Sequence, residues 1–120
     1  MDDVRYIRLH NTGAFVARIH IQYKTPKDDG KGNISYPAEF SEWTNPSYAD
    51  ICAAGERTLD LWKDANMTDG TVVKLKAVIP LGKSREASEQ YIFRPTSGKT
   101  ASYKISGTSL ISHLKLKSYG

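Results

Sequence analysis

The residue types in this chain that could perform chemistry are three histidines, one cysteine and two short polar stretches. His10, His20 and His113 lie far apart in the sequence, and no second thiol or paired carboxylate motif accompanies them. A structural or catalytic metal site needs three or four such ligands at defined spacing, so we assign no metal. For the single cysteine, Cys52, we predict a small buried thiol in a strand rather than a nucleophile.

The two polar stretches do not match the motifs that they resemble. The run "DANMTDG" (64–70) is similar to a calcium-binding loop, but that loop requires glycine at its sixth position, where Asp69 stands. The run "GKSREA" (82–87) lacks the leading glycine of a phosphate-binding loop. The sequence contains no nucleophile elbow and no dinucleotide fingerprint. We therefore predict a protein that is not an enzyme and that uses no cofactor.

Length and composition indicate one soluble globular domain spanning residues 1–120. The chain has 39% hydrophobic and 25% charged residues, which is ordinary globular usage. One cysteine excludes an internal disulfide. The acidic start, Met1-Asp2-Asp3, is followed by no apolar run of the kind found in a signal peptide. We predict that the chain is cytoplasmic as synthesised, with release by a route that needs no signal peptide as an open alternative.

Charge is distributed unevenly along the chain. Residues 25–70 carry four basic and nine acidic side chains, whereas residues 81–120 carry seven basic and two acidic ones. This asymmetry can steer an anionic partner toward the C-terminal half. The basic residues are dispersed and accompany no known nucleic-acid-binding motif, so we predict no nucleic acid partner.

A hydrophobic period of two recurs along the whole chain and predicts β-strands. In "AFVARIHIQYK" (14–24) apolar and polar residues alternate through nine positions, and "TVVKLKAVI" (71–79) repeats the pattern. Turn-forming residues separate these runs. The fold class predicted is all-β, an antiparallel β-sandwich of seven to eight strands, with a barrel as the alternative. One helical turn, capped by Asn45 or Ser47, is predicted within residues 45–59.

Loop order indicates which strand ends lie together. In an antiparallel fold, the loop 82–87 and the loop 107–109 lie at one end of the domain, and the loop 95–99 lies at the other. The loop 11–13 lies at the same end as the loops 82–87 and 107–109 if two strands lie between it and residue 71. A cluster of this kind on a rigid scaffold is typical of a binding surface. The predicted binding residues are Asn11, Thr12, Lys83, Arg85, Thr108, Ser109 and Leu110.

Two stretches resemble the C-terminal β-sandwich domain of the cholesterol-dependent (thiol-activated) cytolysins. "NTGAFVARIHIQY" (11–23) is similar to the opening of that domain, where an asparagine and a "YVA-F-V-W" type of strand recur. "ISGTSL" (105–110) resembles its "WGTTL" motif, and the distance between the two matches suits one whole domain.

The resemblance implies a membrane-recognition module and names residues within it. In that family the last threonine and the leucine of the motif recognise membrane cholesterol, and these positions correspond to Ser109 and Leu110. The family's tryptophan-rich loop would fall near residues 82–87, where this chain has neither tryptophan nor cysteine. Lys83 and Arg85 instead favour anionic headgroups or glycans, which argues against sterol as the ligand.

Two classes of function remain open at this point. The first is a binding module that engages a membrane lipid or a glycan through one loop tip, as a toxin-related or lectin-like component. The second is a structural or oligomerising β-sandwich that binds another protein chain, including a second copy of itself.

Overall fold

The computed structural model describes residues 1–46 and 49–120, which form two stacked β-sheets and one small hairpin. Ser47, one of the two caps predicted for a helical turn, lies outside the described residues, and no α-helix occurs within them. The strands are β1 (Asp3–Val4), β2 (Tyr6–Asn11), β3 (Arg18–Lys24), β4 (Lys27–Asp28), β5 (Ile34–Ser35), β6 (Ser41–Thr44), β7 (Glu56–Asp60), β8 (Val72–Val78), β9 (Arg85–Glu86), β10 (Tyr91–Phe93), β11 (Thr100–Gly107) and β12 (Ser112–Tyr119).

The larger sheet, sheet A, has the strand order β1-β10-β8-β3-β6, and β9 pairs with β8 beside this path. The smaller sheet, sheet B, has the order β12-β11-β2-β7. Strands β4 and β5 form a separate hairpin. The described residues contain no helix that is long and apolar enough to cross a membrane.

The predicted all-β class is confirmed, and the runs with period two are the long strands of the sandwich. Along β2 and β3 buried and half-buried residues alternate as the pattern predicts. The inward faces of both sheets meet in one hydrophobic core. Its largest fully buried side chains include Ile7, Leu9, Ile19, Ile21, Leu75, Phe93, Tyr103 and Ile105.

Two details of the predicted fold were wrong. The described residues form 12 strands rather than seven or eight, because strands of two residues are too short to show a hydrophobic period. The sheets are mixed rather than antiparallel, since β2 pairs with β11 and β1 pairs with β10 in parallel. These pairs join segments far apart in the sequence, and local pattern does not report such pairing.

A pair of tyrosine hydroxyls lies inside the otherwise apolar core. The Tyr91 and Tyr103 hydroxyl oxygens are 3.0 Å apart and hydrogen-bond to each other. Tyr119, near the end of β12, stacks on Tyr91 with ring centroids 5.8 Å apart. Burial raises the pKa of Tyr103 far above its ordinary value, so both hydroxyls stay neutral and the bond between them persists across the physiological pH range.

An ion pair closes the end of the sandwich opposite to the loops 11–13 and 107–109. Arg5 Nε and Nη2 donate to the two carboxylate oxygens of Asp60 at 3.1 and 2.9 Å, and Arg5 Nη1 donates to the Pro95 carbonyl at 2.9 Å. Burial alone would raise the pKa of Asp60, but the hydrogen bonds from Arg5 and from the amides of Lys63 and Trp62 outweigh it and lower the pKa from its ordinary value.

We expect Asp60→Asn to destabilise the protein in a pH-dependent way. The folded pKa is depressed, so the carboxylate contributes stability above the unfolded pKa and loses it as pH falls through the folded value. The loss in unfolding free energy should be about 1.5–3 kcal/mol at pH 7, typical of hydrogen bonds to charged groups. Urea unfolding at pH 7 and pH 3 measures it, and the difference between wild type and variant should shrink at pH 3. An equal difference at both pH values would contradict the role given to this carboxylate.

Candidate functional site

Three loops meet at one end of the sandwich, and we call this end the tip. It comprises residues 12–16 between β2 and β3, residues 79–84 after β8, and residues 107–111 between β11 and β12. The Ala14 amide donates to the Gly107 carbonyl at 3.1 Å, and the Lys83 amide donates to the Ser109 carbonyl at 2.8 Å. The third loop therefore holds both of the others through its backbone.

The structure brings together the three loops that the sequence grouped, but the condition given for the first loop, two strands between it and residue 71, is not met. Three strands rather than two cross the domain between the first loop and residue 71, namely β3, β6 and β7. The first and third loops lie side by side because β2 and β11 run parallel and end together, with Asn11 opposite Ile105. The loop 95–99 lies at the other end, where the Lys99 carbonyl accepts from the Tyr6 amide.

Two glycines allow the close approach of these loops. A Cβ on Gly82 would overlap the Ser109 carbonyl oxygen, and a Cβ on Gly107 would overlap the Ile111 carbonyl oxygen. Gly107 also has a φ of +100°, a conformation that residues with side chains rarely adopt. The polar segment "SGTS" (106–109) is thus a tight turn, which places the residues after it at the outer surface.

Asn11, predicted to bind a ligand, instead lies fully buried beneath the tip. Its side-chain amide donates to the carbonyls of Phe15 at 2.6 Å and Ile51 at 3.1 Å, and its side-chain oxygen accepts from the Gly13 amide at 2.9 Å. A side chain with every polar atom engaged and no exposed surface holds the loop in shape. The role of Asn11 in the structure is therefore to position the tip.

The predicted hydroxyl residues are largely occupied by local hydrogen bonds. Thr12 Oγ1 donates to the Ile105 carbonyl at 3.1 Å, and Thr108 Oγ1 accepts from the Ile111 amide at 3.1 Å. Ser109 is half-buried against the loop 79–84. These groups stabilise the turn in the way expected of short hydroxyl side chains.

The two predicted cations differ in their surroundings. Arg85 is half-buried, and its Nε donates to the Ser112 hydroxyl at 3.0 Å. This bond ties β9 to the start of β12. Lys83 is exposed on the loop itself, so it is the cation that the tip presents to solvent.

Large apolar side chains protrude from the tip, and sequence reasoning found only one of them. Leu110 is 61% exposed, Ile111 is 68% exposed, and Leu81 is completely exposed. Leu81 has a φ of +62°, which is uncommon for a residue with a side chain and turns it away from the core. The sequence feature that could have predicted their exposure is a large apolar residue within each turn, namely Leu81 before Gly82 and Ile111 after Leu110.

Cys52 was predicted to be buried in a strand, and this prediction was wrong, because Cys52 is exposed. It lies in the loop 52–55, which adjoins the first tip loop through a hydrogen bond of 2.7 Å from the Ala54 amide to the Asn11 carbonyl. Within the described ranges, no three His, Cys, Asp or Glu side chains come together as a set of metal ligands.

Comparison with solved structures identifies relatives of this fold. The structure of pneumolysin aligns with 94% of this chain at 17% identity and a TM-score of 0.52, and listeriolysin O aligns with 94% at 16% identity and the same TM-score. The chain has the fold of the C-terminal β-sandwich domain of the cholesterol-dependent cytolysins. The resemblance carried by residues 11–23 and 105–110 is thereby confirmed at the level of the fold.

The match covers a small part of each toxin. This chain spans 23% of pneumolysin and 22% of listeriolysin O. A structure described as the membrane-binding domain of pneumolysin aligns over 95% of this chain and 96% of its own length, at 18% identity and a TM-score of 0.48. No protein-family model matches the chain. No curated protein sequence matches it either.

Proposed function

We propose that this protein is a non-enzymatic module that binds a membrane surface through the tip. The observation that carries the proposal is the exposure of Leu81, Leu110 and Ile111 at one end of a sandwich whose loops are held together by backbone hydrogen bonds. The cytolysin-like fold supports the same conclusion. The role is cytolysin-like in recognition only, because the comparison covers less than a quarter of each toxin.

Apolar side chains and a cation together suit the boundary between lipid headgroups and acyl chains. Exposed leucine and isoleucine gain about 25 cal/mol for each Å² of apolar surface moved out of water. Lys83, on the same loop as Leu81, adds about 1 kcal/mol near an anionic leaflet. Its long aliphatic stem lets the ammonium group stay among the headgroups while the neighbouring leucine enters the apolar layer.

The same geometry favours lipid over a glycan as the ligand of the tip. Sugar recognition uses free hydroxyl, amide and carboxylate groups, whereas the hydroxyls of Thr12 and Thr108 bond to backbone groups within the tip. Sterol recognition is not part of the proposal, because Ser109 is half-buried and its carbonyl accepts the Lys83 amide. We propose anionic headgroups with adjoining acyl chains as the surface recognised.

Sedimentation with vesicles of four compositions tests this function. Neutral and anionic vesicles are each prepared with and without sterol, and the bound fraction of the protein is measured. We expect binding to anionic vesicles to exceed binding to neutral ones and to fall as salt rises, since exposed charges are screened. At constant surface charge, sterol should leave the bound fraction unchanged. No binding to any composition would overturn the proposed function, and binding that requires sterol would overturn the choice of ligand.

A second candidate function is association with another protein chain, and a specific feature favours it. Strand β12 is an edge strand of sheet B and runs for eight residues. Long edge strands are sites for pairing with a second copy, although charged residues such as Lys115 and Lys117 oppose it. Light scattering distinguishes the two candidates, because a stable dimer through β12 doubles the mass in solution before any vesicle is added.

The place of synthesis and action stays a prediction. The sequence predicts a chain that is cytoplasmic as synthesised, and a role at the surface of another cell would require its release. Fractionation of producing cells and their medium tests this prediction.

A further inference from the structure

The outer face of sheet B carries an open groove below the tip. The groove has a volume of about 290 Å³ and crosses all four strands of that sheet, β7, β2, β11 and β12. We call it the basic groove, and its polar lining consists of Arg8, His10, Glu56, Ser102, Lys104, Lys117 and Ser118.

Strand register places these residues side by side. On β2 and β11, Arg8 lies opposite Ser102 and His10 lies opposite Lys104. On the next strand Lys115 lies opposite Lys104. A register shift between Ser102 and Tyr103 changes the pairing with β12, and this irregularity brings Lys117 into the lining. Adjacent strands are about 4.8 Å apart, so the cations of three strands fall within about 10 Å of one another.

The positive charge of the groove is only partly neutralised. Glu56 is the one acidic residue of the lining, and it forms an ion pair with Arg8. Among the ion pairs of the described residues, none involves Lys104, Lys115 or Lys117. The groove therefore keeps a net positive charge, with the hydroxyls of Ser102 and Ser118 available as hydrogen-bond donors beside it.

We propose that the basic groove binds a sulfated polysaccharide. Sulfate groups are oxyanions that accept hydrogen bonds from lysine, arginine and serine together, which are the donors that the lining offers. An open groove crossing several strands suits an extended chain rather than a small enclosed ligand. The only ring in the lining besides His10 belongs to Tyr103, which is buried. A single-stranded nucleic acid would need exposed rings for its bases to stack on.

Distance from the tip favours a polysaccharide over a lipid headgroup, and this step rests on the membrane orientation proposed above. Lys104 and Ser102 precede Gly107 by three and five residues along β11, which corresponds to about 10 and 16 Å of strand. Each headgroup layer of a bilayer is only about 5–8 Å thick. A tip resting in that layer leaves the groove above it, beside chains that project from a cell surface.

Heparin in solution, without vesicles, tests the proposal independently of the membrane. The groove variant is Lys104→Gln with Lys117→Gln, and the matched control is Lys27→Gln with Lys31→Gln. The control removes the same charge from exposed residues of the loop and hairpin 27–35. We expect the groove variant to bind heparin at least about tenfold more weakly at 0.15 M salt, and the control to stay within about twofold of wild type.

Salt dependence provides a second measurement on the same proteins. Binding of a linear polyanion releases counterions, so the slope of log affinity against log salt should fall by about two in the groove variant. Thermal unfolding checks that the variants fold. If the change at Lys104 lowers the melting temperature, Lys115→Gln with Lys117→Gln replaces it, because both of those side chains are exposed on an edge strand.

Several results would overturn the proposal. These are failure of wild type to bind heparin, equal loss of affinity in groove variant and control, and tighter binding of an oligonucleotide or an unsulfated acidic polysaccharide of equal charge.

The vesicle assay separates this proposal from the proposed function. A groove variant that still sediments with anionic vesicles but loses heparin supports a separate site. One that loses both overturns the separate site, whereas binding of the wild-type protein to vesicles still decides the proposed function.

Discussion

Replacing Leu81, Leu110 and Ile111 together with serine is expected to weaken binding to anionic vesicles by about 100-fold. Full burial of one such side chain contributes about 1.5–3 kcal/mol, and partial immersion of three contributes about 3 kcal/mol in total. Because 1.4 kcal/mol corresponds to a tenfold change in affinity, the loss should reach two orders of magnitude. Vesicle sedimentation over a lipid titration measures it. Stability should hardly change, since all three side chains are exposed.

A control substitution separates a specific tip from general surface hydrophobicity. Ile34 is 55% exposed on the hairpin formed by β4 and β5. Ile34→Ser should leave vesicle binding within about twofold of wild type, because this hairpin is not part of the tip. Equal effects of Ile34→Ser and of a single tip substitution, such as Ile111→Ser, would show that the tip has no special role in membrane binding.

The second large effect expected is loss of stability on replacing Asn11 with alanine. The change removes three hydrogen bonds and leaves the buried Gly13 amide and the half-buried Phe15 carbonyl without their partner. The Ile51 carbonyl keeps the Ala17 amide as donor. Each orphaned buried group costs about 1–3 kcal/mol, so the unfolding free energy should fall by about 2–4 kcal/mol. Urea unfolding measures the change.

Asn11→Asp serves as the diagnostic companion of that substitution. Aspartate retains an oxygen for the Gly13 amide but turns an acceptor toward the carbonyls of Phe15 and Ile51, with which it cannot bond. We expect it to destabilise the protein at least as much as alanine at pH 7. A loss below about 1 kcal/mol for both variants would show that Asn11 does not hold the tip loops together.

The long strands were predictable because one face of each is exposed to solvent and the other is buried in the core. Alternation along residues 14–24 and 71–79 follows directly from the pleat of a strand, whose successive side chains point to opposite faces. The short strands β4, β5 and β9 show no such alternation, because a strand of two residues contains a single period and no repeat of it. Their existence depends on the loops around them.

The grouping of loops at one end was predicted, but the arrangement of strands that produces it was not. The prediction assumed antiparallel neighbours and grouped the first loop with the others on the condition that two strands intervene, whereas three strands intervene and β2 lies parallel to β11. A parallel pair between residues about 95 positions apart is set by which sheet faces bury most apolar surface together. No local pattern in either strand records that choice.

The roles of individual tip residues could not be read from their types. Asparagine and leucine at a turn suggest a polar contact and a core contact, yet Asn11 is buried and Leu81 is completely exposed. Asn11 is buried because the carbonyls of Phe15 and Ile51 converge on it from two other segments. Leu81 is exposed because its positive φ and the contact between Gly82 and Ser109 turn it outward.

The sequence by itself determined that this is an all-β protein with alternating strands, and two short stretches were enough to indicate the cytolysin-like domain. The hydrophobic period and the turn residues depend only on residues a few positions apart, so they are visible in a short stretch of sequence. Only the tertiary structure decided that Leu81, Leu110 and Ile111 share one surface and that Lys104 lies beside Arg8, His10 and Lys117. These groupings depend on parallel pairing and on a register shift between distant strands, and both result from packing of the whole core.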